Sequence, residues 1–167
     1  MKKKIAITVP AAVLLLALYM LIFGFSAQDG ETSGSLSRMI SERCVELFNN
    51  LSGGHWTEGF MQGLAEYFEH PLRKLGHFSE YACMGILLYV LWSQWIKRGR
   101  KLYVLIVLWV FCSAALDEFH QLFVPGRYGS FADVLLDTCG GAFGMLLCAV
   151  IGKIRERMRH RRYQRRT

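Results

Sequence analysis

Four long apolar runs divide the chain, and each is long enough to be interpreted as a membrane-spanning helix. The runs cover residues 5–25, 75–96, 102–121 and 131–151. A spanning helix needs about 20 mostly apolar residues. The first run has no charged residue, whereas the other three each contain a few ionisable ones. The pattern predicts an all-α, multi-pass membrane bundle with four transmembrane helices.

The first run follows three lysines, so a cleaved signal peptide is the alternative interpretation. The apolar core of a signal peptide is usually about 7–15 residues long, and the run from Ile5 to Phe25 is longer than that. The stretch from Gly24 to Gln28 also lacks the two small residues of a typical cleavage site. We therefore predict that this run is retained as the first span.

The segment between the first and second spans, residues 26–73, carries an amphipathic pattern. Apolar residues recur every three or four positions between Leu36 and Leu51, which is the spacing of one face of a helix. Ser33 or Ser35 is expected to cap this helix, and Ser52–Gly54 is expected to end it.

A second, weaker helix is predicted from Thr57 to Glu69, with His70 and Pro71 closing it. Helices of this kind either lie flat on the outer membrane leaflet or cap the bundle. The segment is therefore predicted to hold one or two amphipathic helices and no independent domain.

Lysine and arginine form three clusters, and each cluster adjoins the end of a span. The clusters are Lys2–Lys4, residues 97–101 and the tail at 153–167. Basic residues accumulate on the cytoplasmic side of membrane proteins. This predicts a membrane protein with both termini in the cytoplasm and residues 26–73 outside. The net charge of +7 then reflects topology and contact with anionic membrane lipids, so no nucleic-acid partner is predicted.

The composition is consistent with one membrane domain spanning residues 1–167. Hydrophobic residues make up 53% of the chain, which is high for a soluble protein. Four of the five cysteines lie within predicted spans, and no two form a CxxC pair. They are interpreted as small apolar residues that fill space, and neither a disulfide framework nor a zinc site is predicted.

Ionisable side chains of three spans are expected to lie at one depth. Residues 102–116 rise only about 22 Å, which is less than a hydrocarbon core of roughly 30 Å. The next turn, beginning with Asp117 and Glu118, should therefore still lie within the outer membrane layer. Spans two and four run in the opposite direction and begin with the pairs His77/Glu80 and Asp133/Asp137. The polar groups are thus predicted to meet just below the outer surface.

Helical spacing places these residues on faces that can point towards one another. Asp133, Asp137, Gly140 and Gly144 share one face, and the Gly140-x-x-x-Gly144 spacing permits close helix contact. Lys74, His77 and Tyr81 share another face, as do Asp117, His120 and Gln121. The spacing favours a common, inward-facing polar site.

Acids outnumber fixed cations in the predicted site. The acids are Glu80, Asp117, Glu118, Asp133 and Asp137, and the fixed cations are Arg73, Lys74 and Arg127. A charge inside the membrane costs about 2.5–3.5 kcal/mol near the centre of a helix. We therefore expect a hydrated pocket, open to the outside, in which some carboxylates are protonated or a cation is held.

The candidate metal ligands and nucleophiles of the site also have structural interpretations. His77 and Glu80 have the spacing of half a metal site, and His120 could add a third ligand. A histidine paired with a carboxylate explains the same pattern, so neither a metal nor another cofactor is predicted. Ser79, Ser130 and Thr138 lack the surroundings of an activated nucleophile.

Two stretches, KLGHFSEYACMGILL and LDEFHQLFVPGRYGSFADVLLDTCGGAFG, resemble the VanZ-like family of small bacterial membrane proteins. The resemblance extends over all four spans and implies an envelope protein tied to susceptibility to glycopeptides of the teicoplanin type. The family often has Asn where this chain has Asp137. That difference adds a negative charge and calls into question any role that requires an amide. The predicted binding residues are Lys74, His77, Glu80, Tyr81, Asp117, Glu118, Gln121, Arg127, Asp133 and Asp137.

Two functional hypotheses follow. In the first, the protein is an accessory factor whose pocket binds membrane lipids, a lipid-linked cell-wall precursor or a glycopeptide. In the second, it is an interfacial enzyme that acts on a lipid-linked substrate through carboxylate acid and base chemistry, with Glu80, Asp117, Glu118 and Asp133 as candidates. The sequence favours a non-enzymatic role, makes transport a weaker third option, and leaves the oligomeric state open.

Overall fold

The structure is a computed structural model that describes residues 1–164; residues 165–167, the end of the predicted basic tail, lie outside the described part. Five helices and no strand occur in residues 1–164, which confirms the all-α prediction. They are α1 (Lys2–Ser26), α2 (Gly30–Leu51), α3 (Glu58–Trp92), α4 (Arg100–Gln121) and α5 (Phe131–Gln164).

Three stretches of the described helices are long and apolar enough to cross a membrane: Lys4–Ser26, Arg100–Gln121 and Phe131–Arg159. They coincide with the first, third and fourth predicted spans and indicate a membrane protein. The second predicted span, residues 75–96, corresponds to the second half of α3. That half ends at Trp92 and is not among the three.

The start of α2 differs from the prediction. The helix begins at Gly30, before both candidate capping serines, and Asp29 is its N-cap. The Asp29 carboxylate accepts a hydrogen bond from the Thr32 amide at 2.7 Å, and this bond lowers the pKa of Asp29. Aspartate serves this position as well as serine does because its oxygen can accept from the same free amide.

The predicted helix break at His70 and Pro71 is wrong. α3 runs without interruption from Glu58 to Trp92 with Pro71 inside it. Proline removes one backbone donor and usually kinks or breaks a helix. Here both sides of Pro71 are held by neighbours, because α2 packs on the first half of α3 and α5 packs along the helix. On the α2 side, the buried Ser41 hydroxyl donates to the Ala65 carbonyl at 2.6 Å.

α3 and α5 run parallel and meet along a glycine seam, defined here as Gly85, Gly140, Gly141 and Gly144. A Cβ on Gly140 would overlap the carbonyl of Phe78, and one on Gly144 would overlap the carbonyl of Ala82. The close contact predicted from the Gly140-x-x-x-Gly144 spacing is therefore confirmed.

The bundle has two chemically distinct ends. At the basic end, Arg98 pairs with Glu156 at 2.7 Å and the Trp95 indole donates to the Thr8 hydroxyl. At the other end, the loop between α4 and α5 touches the start of α2, where the Gly30 amide donates to the Pro125 carbonyl. Between the two ends lies an apolar core that includes Met84, Leu88, Leu102, Ile106 and Val110.

Candidate functional site

A cavity of about 300 Å³ opens at the end of the bundle opposite the basic clusters. It lies between α3, the end of α4, the α4–α5 loop and the start of α5, and we call it the polar pocket. Its lining consists of His70, Arg73, Lys74, His77, Glu118, Gln121, Gly126, Arg127, Tyr128, Ser130, Asp133, Leu136 and Asp137.

The charges of the polar pocket are separated between its walls. The α3 wall carries His70, Arg73, Lys74 and His77, which follow one face of the helix at intervals of three and four residues. The facing wall, from α4 and α5, carries Glu118, Asp133 and Asp137. The pocket therefore has the cations Arg73 and Lys74 on the α3 side and three acids on the facing side, with Arg127 of the α4–α5 loop as a third cation.

One ion pair joins the two walls. The Lys74 ammonium lies 2.6 Å from a carboxylate oxygen of Asp133, and both side chains are about one-third exposed. A partly exposed pair of this kind contributes modestly to stability, because water competes for both charges. Its main consequence is that the charges of Lys74 and Asp133 are already neutralised by each other.

Glu118 is also satisfied by the protein. One of its carboxylate oxygens accepts from the Ser130 amide at 2.7 Å, and the other accepts from the Gln121 side chain at 3.4 Å. The backbone contact ties the end of α4 to the start of α5. Glu118 therefore fixes the shape of the loop as well as lining the pocket.

Arg127 is held by the end of α1. Its guanidinium donates to the carbonyls of Gln28 at 3.0 Å and Phe25 at 2.8 Å. Burial and the nearby positive charge of Arg73 lower the pKa of Arg127. Carbonyls at a helix C-terminus lack partners within the helix, and Arg127 is one of the donors that bind them here, together with the Gln28 amide, which donates to the Phe25 carbonyl at 3.3 Å. Two of the nitrogens of the Arg127 side chain therefore already donate to the protein backbone.

Gln121 links α1 to α4 beside the pocket. Its amide lies within hydrogen-bond distance of the Ser26 hydroxyl at 3.2 Å and of an Asp117 carboxylate oxygen at 3.2 Å. All three side chains are buried. Buried polar groups are stable only when they are paired in this way, so this network fixes the position of α1 against the pocket.

Asp137 differs from every other acid of the pocket. Its side chain is 0% exposed, it lines the pocket, and neither of its carboxylate oxygens has a hydrogen-bond partner among residues 1–164. A buried charge without a partner is costly. Asp137 is therefore the acid of the pocket that has no hydrogen-bond partner at all within residues 1–164.

Three predicted site residues face neighbouring cavities. Tyr81 and Asp117 line a largely apolar cavity of about 480 Å³ between α1, α3 and α4. Glu80 lines a cavity of about 160 Å³ beside α2. The other seven predicted residues, Lys74, His77, Glu118, Gln121, Arg127, Asp133 and Asp137, all line the polar pocket.

His77 and Glu80 have the spacing of two metal ligands, but among the described residues no third ligand joins them. Within the described part of the chain, no group of three or more His, Cys, Asp or Glu side chains is arranged to hold a metal ion. His120 instead packs against Phe23, with ring centroids 4.5 Å apart.

The sequence did not predict two residues that line the polar pocket or one residue that supports it. His70 was assigned no role, and Arg73 was considered only as a nearby cation, yet both line the pocket. Their spacing with Lys74 and His77 would have revealed a continuous basic face if α3 had been predicted to pass through Pro71. Ser26 was also missed, because a lone serine at a helix end carries no distinctive sequence signal.

A family model described as VanZ/LLP1 matches residues 11–152. No curated protein and no solved structure matches the chain. The family match covers most of the chain and all five helices in whole or in part. The chain belongs to the VanZ/LLP1 family.

Proposed function

We propose that this VanZ-family protein is a multi-pass protein of the bacterial cytoplasmic membrane whose polar pocket faces outward and binds a lipid or another envelope component. Through that binding it acts as an accessory factor that alters susceptibility to glycopeptides of the teicoplanin type. The observation that carries the proposal is a cavity with two walls of opposite charge, within a bundle of apolar helices.

The second half of α3 is proposed as a fourth span. Its hydropathy is reduced by His77 and Glu80, and both residues line cavities within the bundle. Polar residues that face the interior of a bundle are compatible with a spanning helix. Tyr81, Met84 and Leu88 of the same half are buried in the apolar core.

With four spans, both termini lie on the same side of the membrane. The basic clusters at the N-terminus, after α3 and at the end of α5 share that side, and basic residues accumulate in the cytoplasm. The polar pocket, at the other end of the bundle, then opens towards the outside. This orientation gives it access to outer-leaflet lipids and to membrane-linked cell-wall precursors.

Arg73 is the proposed anchor for an anionic group. It is exposed at the rim of the pocket, and it has no hydrogen bond or ion pair to any described residue. A guanidinium can donate two parallel hydrogen bonds to a phosphate or a carboxylate. Lys74 and Arg127 are less available, because Asp133 and the end of α1 already bind them.

Mass spectrometry of copurifying lipids tests this proposal. The full chain, its Arg73→Gln variant and its Arg43→Gln variant would be purified in the same detergent. Arg43 is a matched control, because it is an exposed arginine on α2 that pairs with Glu46 and does not line the pocket. We expect a specific lipid to be retained by the wild type and by Arg43→Gln and to be lost from Arg73→Gln. Equal lipid profiles for all three proteins would refute binding at the pocket.

The proposed link to glycopeptides has its own test. Expression of the wild-type chain in a susceptible bacterium should raise the minimal inhibitory concentration of teicoplanin. Arg73→Gln should remove that increase while the protein still accumulates in the membrane, and Arg43→Gln should retain it. An unchanged inhibitory concentration with the wild type would contradict the accessory role.

The alternative is an interfacial enzyme, and one observation favours it. Glu118, Asp133 and Asp137 line the same wall, and neighbouring carboxylates can divide into a proton donor and a proton acceptor. Replacing Glu118 with Gln keeps an acceptor oxygen but removes the ability to transfer a proton. Complete loss of the teicoplanin phenotype with normal membrane accumulation would favour catalysis, whereas a partial loss would favour binding.

A further inference from the structure

We propose that the polar pocket recognises a zwitterionic headgroup in which a primary ammonium reaches Asp137 and a phosphate diester remains at Arg73. An aminoalkyl phosphate has this chemistry. The inference rests on the proposed function, because it specifies what the same pocket binds. It follows from two groups of the pocket that have no partner within the described protein, the Arg73 guanidinium and the Asp137 carboxyl.

The unpaired acid lies deeper than the paired one. Asp137 is one helical turn further along α5 than Asp133, a distance of about 6 Å along the helix axis. Asp133 is bound to Lys74, whereas both oxygens of Asp137 lack a partner within residues 1–164. A ligand must therefore extend past the ion pair and bring hydrogen-bond donors to the pocket floor.

An ammonium group suits that floor better than a neutral donor. It supplies three N–H donors and a positive charge, whereas a hydroxyl group supplies a single donor and no charge. Glu118 and Asp133 share the wall with Asp137, and their charges attract a cation and repel an anion. A ligand that carries both charges therefore enters the pocket with its ammonium group first.

A metal ion fits the same floor poorly. Calcium requires six to eight oxygen ligands, and magnesium requires a regular octahedron. Among the described residues no cluster of three or more metal-ligating side chains is arranged for such an ion. Asp137 offers two oxygens without a partner among residues 1–164, which matches an organic ammonium better than a hard cation that needs six or more ligands.

The rim supplies the complementary charge. Arg73 is exposed and unpaired within the described chain, and His70 lies one turn before it on the same wall. A phosphate held there would lie between the ammonium on the pocket floor and any acyl chains left outside in the membrane. The order of charges along the pocket therefore matches an aminoalkyl phosphate that enters with its amine first.

The size of the cavity limits the ligand further. A volume of about 300 Å³ is at the lower end of small-molecule sites. It accommodates a headgroup of a few heavy atoms. A whole glycopeptide or a complete lipid-linked disaccharide peptide exceeds this volume, so such a molecule could place only a small charged part in the pocket.

Binding to lipids of defined headgroup tests the inference. The purified full chain would be placed in nanodiscs, and lipid retention would be measured by native mass spectrometry. Phosphatidylethanolamine carries the primary ammonium, phosphatidylcholine carries a nitrogen without N–H donors, and phosphatidylglycerol lacks the ammonium. We expect phosphatidylethanolamine to bind more tightly than either of the others by about tenfold, the effect of one charge-assisted hydrogen bond.

Two variants distinguish the ends of the site. Asp137→Asn should abolish the preference for phosphatidylethanolamine over phosphatidylglycerol. Arg73→Gln should weaken the binding of both lipids, and Arg43→Gln should change neither. Soluble O-phosphoethanolamine, used as a separate probe, should show the same dependence on Asp137 and Arg73 if the headgroup alone is recognised. Binding confined to the intact lipid would identify the membrane as the source of the ligand.

The outcomes separate this inference from the proposed function. If the three lipids bind equally and Arg73→Gln still weakens all of them, the ammonium inference is overturned and the pocket remains a lipid site. If Arg73→Gln has no effect on any lipid, both proposals fail. The comparison of wild-type affinities needs no variant, so misfolding of Asp137→Asn cannot obscure the answer.

Discussion

The interface between α3 and α5 has two halves with opposite chemistry. Near the pocket, Lys74 faces Asp133, and Asp137 lies without a partner within the described chain. This half of the interface is called the polar half. The other half, called the glycine half, lies towards the basic end and contains the glycine seam, where the two backbones touch, as at Gly144 and Ala82. Because the glycine half already fixes the distance and the register of the helices, the polar half can hold groups that do not stabilise the bundle.

Substitution in the glycine half should give the largest effect. Gly144→Ala places a methyl group against the Ala82 carbonyl, and the backbone there cannot move aside as a side chain can. We expect the free energy of unfolding to fall by about 2–4 kcal/mol, at or above the upper end of ordinary overpacking costs. Reversible denaturation in detergent micelles measures the change.

Gly76→Ala is the matched control for that prediction. Gly76 also lies inside a helix of this interface, but a Cβ there would meet no atom within 4 Å. The control should therefore retain wild-type stability or exceed it slightly, because alanine favours helix more than glycine does. A similar loss for both variants would show that close packing is not what distinguishes the glycine half.

In the polar half, removal of an unpaired carboxyl group should increase stability. Asp137→Asn preserves size and removes a buried group that can ionise and that has no described partner. We expect the unliganded protein to gain up to about 1 kcal/mol, because the amide cannot become charged but still leaves a buried polar group without a partner. Asp133→Asn should have the opposite sign, because it breaks the contact with Lys74. Thermal unfolding in a detergent that carries no lipid compares the two, and a loss with Asp137→Asn would contradict the argument.

The Lys74–Asp133 pair should contribute least. Its side chains are 37% and 32% exposed, and pairs that water can reach contribute about 0.2–1 kcal/mol. A double-mutant cycle with Lys74→Met and Asp133→Asn isolates the coupling between them. A coupling well above this range would mean that the polar half also holds the helices together.

The apolar helices could be predicted from the sequence because hydropathy and length suffice for a lipid-facing span. α1, α4 and α5 meet those criteria. α3 was harder to predict, since tertiary contacts on both sides of Pro71 outweigh the local tendency of proline to end a helix. The predicted break also concealed His70 and Arg73 as members of the same face.

The meeting of polar residues from several helices at one end of the bundle could be predicted because the rise per residue of a helix is fixed. Their direction was harder to predict. Asp117 and Glu118 are adjacent in sequence, yet they point into different cavities, because successive helical residues diverge by about 100°. The packing of α4 against α5, α3 and α1 determines which of the two faces the polar pocket.

The unbroken α3 connects two packing interfaces as well as forming a wall of the pocket. A helix of 35 residues is about 52 Å long, whereas a hydrocarbon core is about 30 Å thick. The first half of α3 thus packs against α2, and the second half of the same helix packs against α5. Because α3 is continuous, the contacts of α2 and the pocket residues Arg73 and Lys74 belong to the same helix.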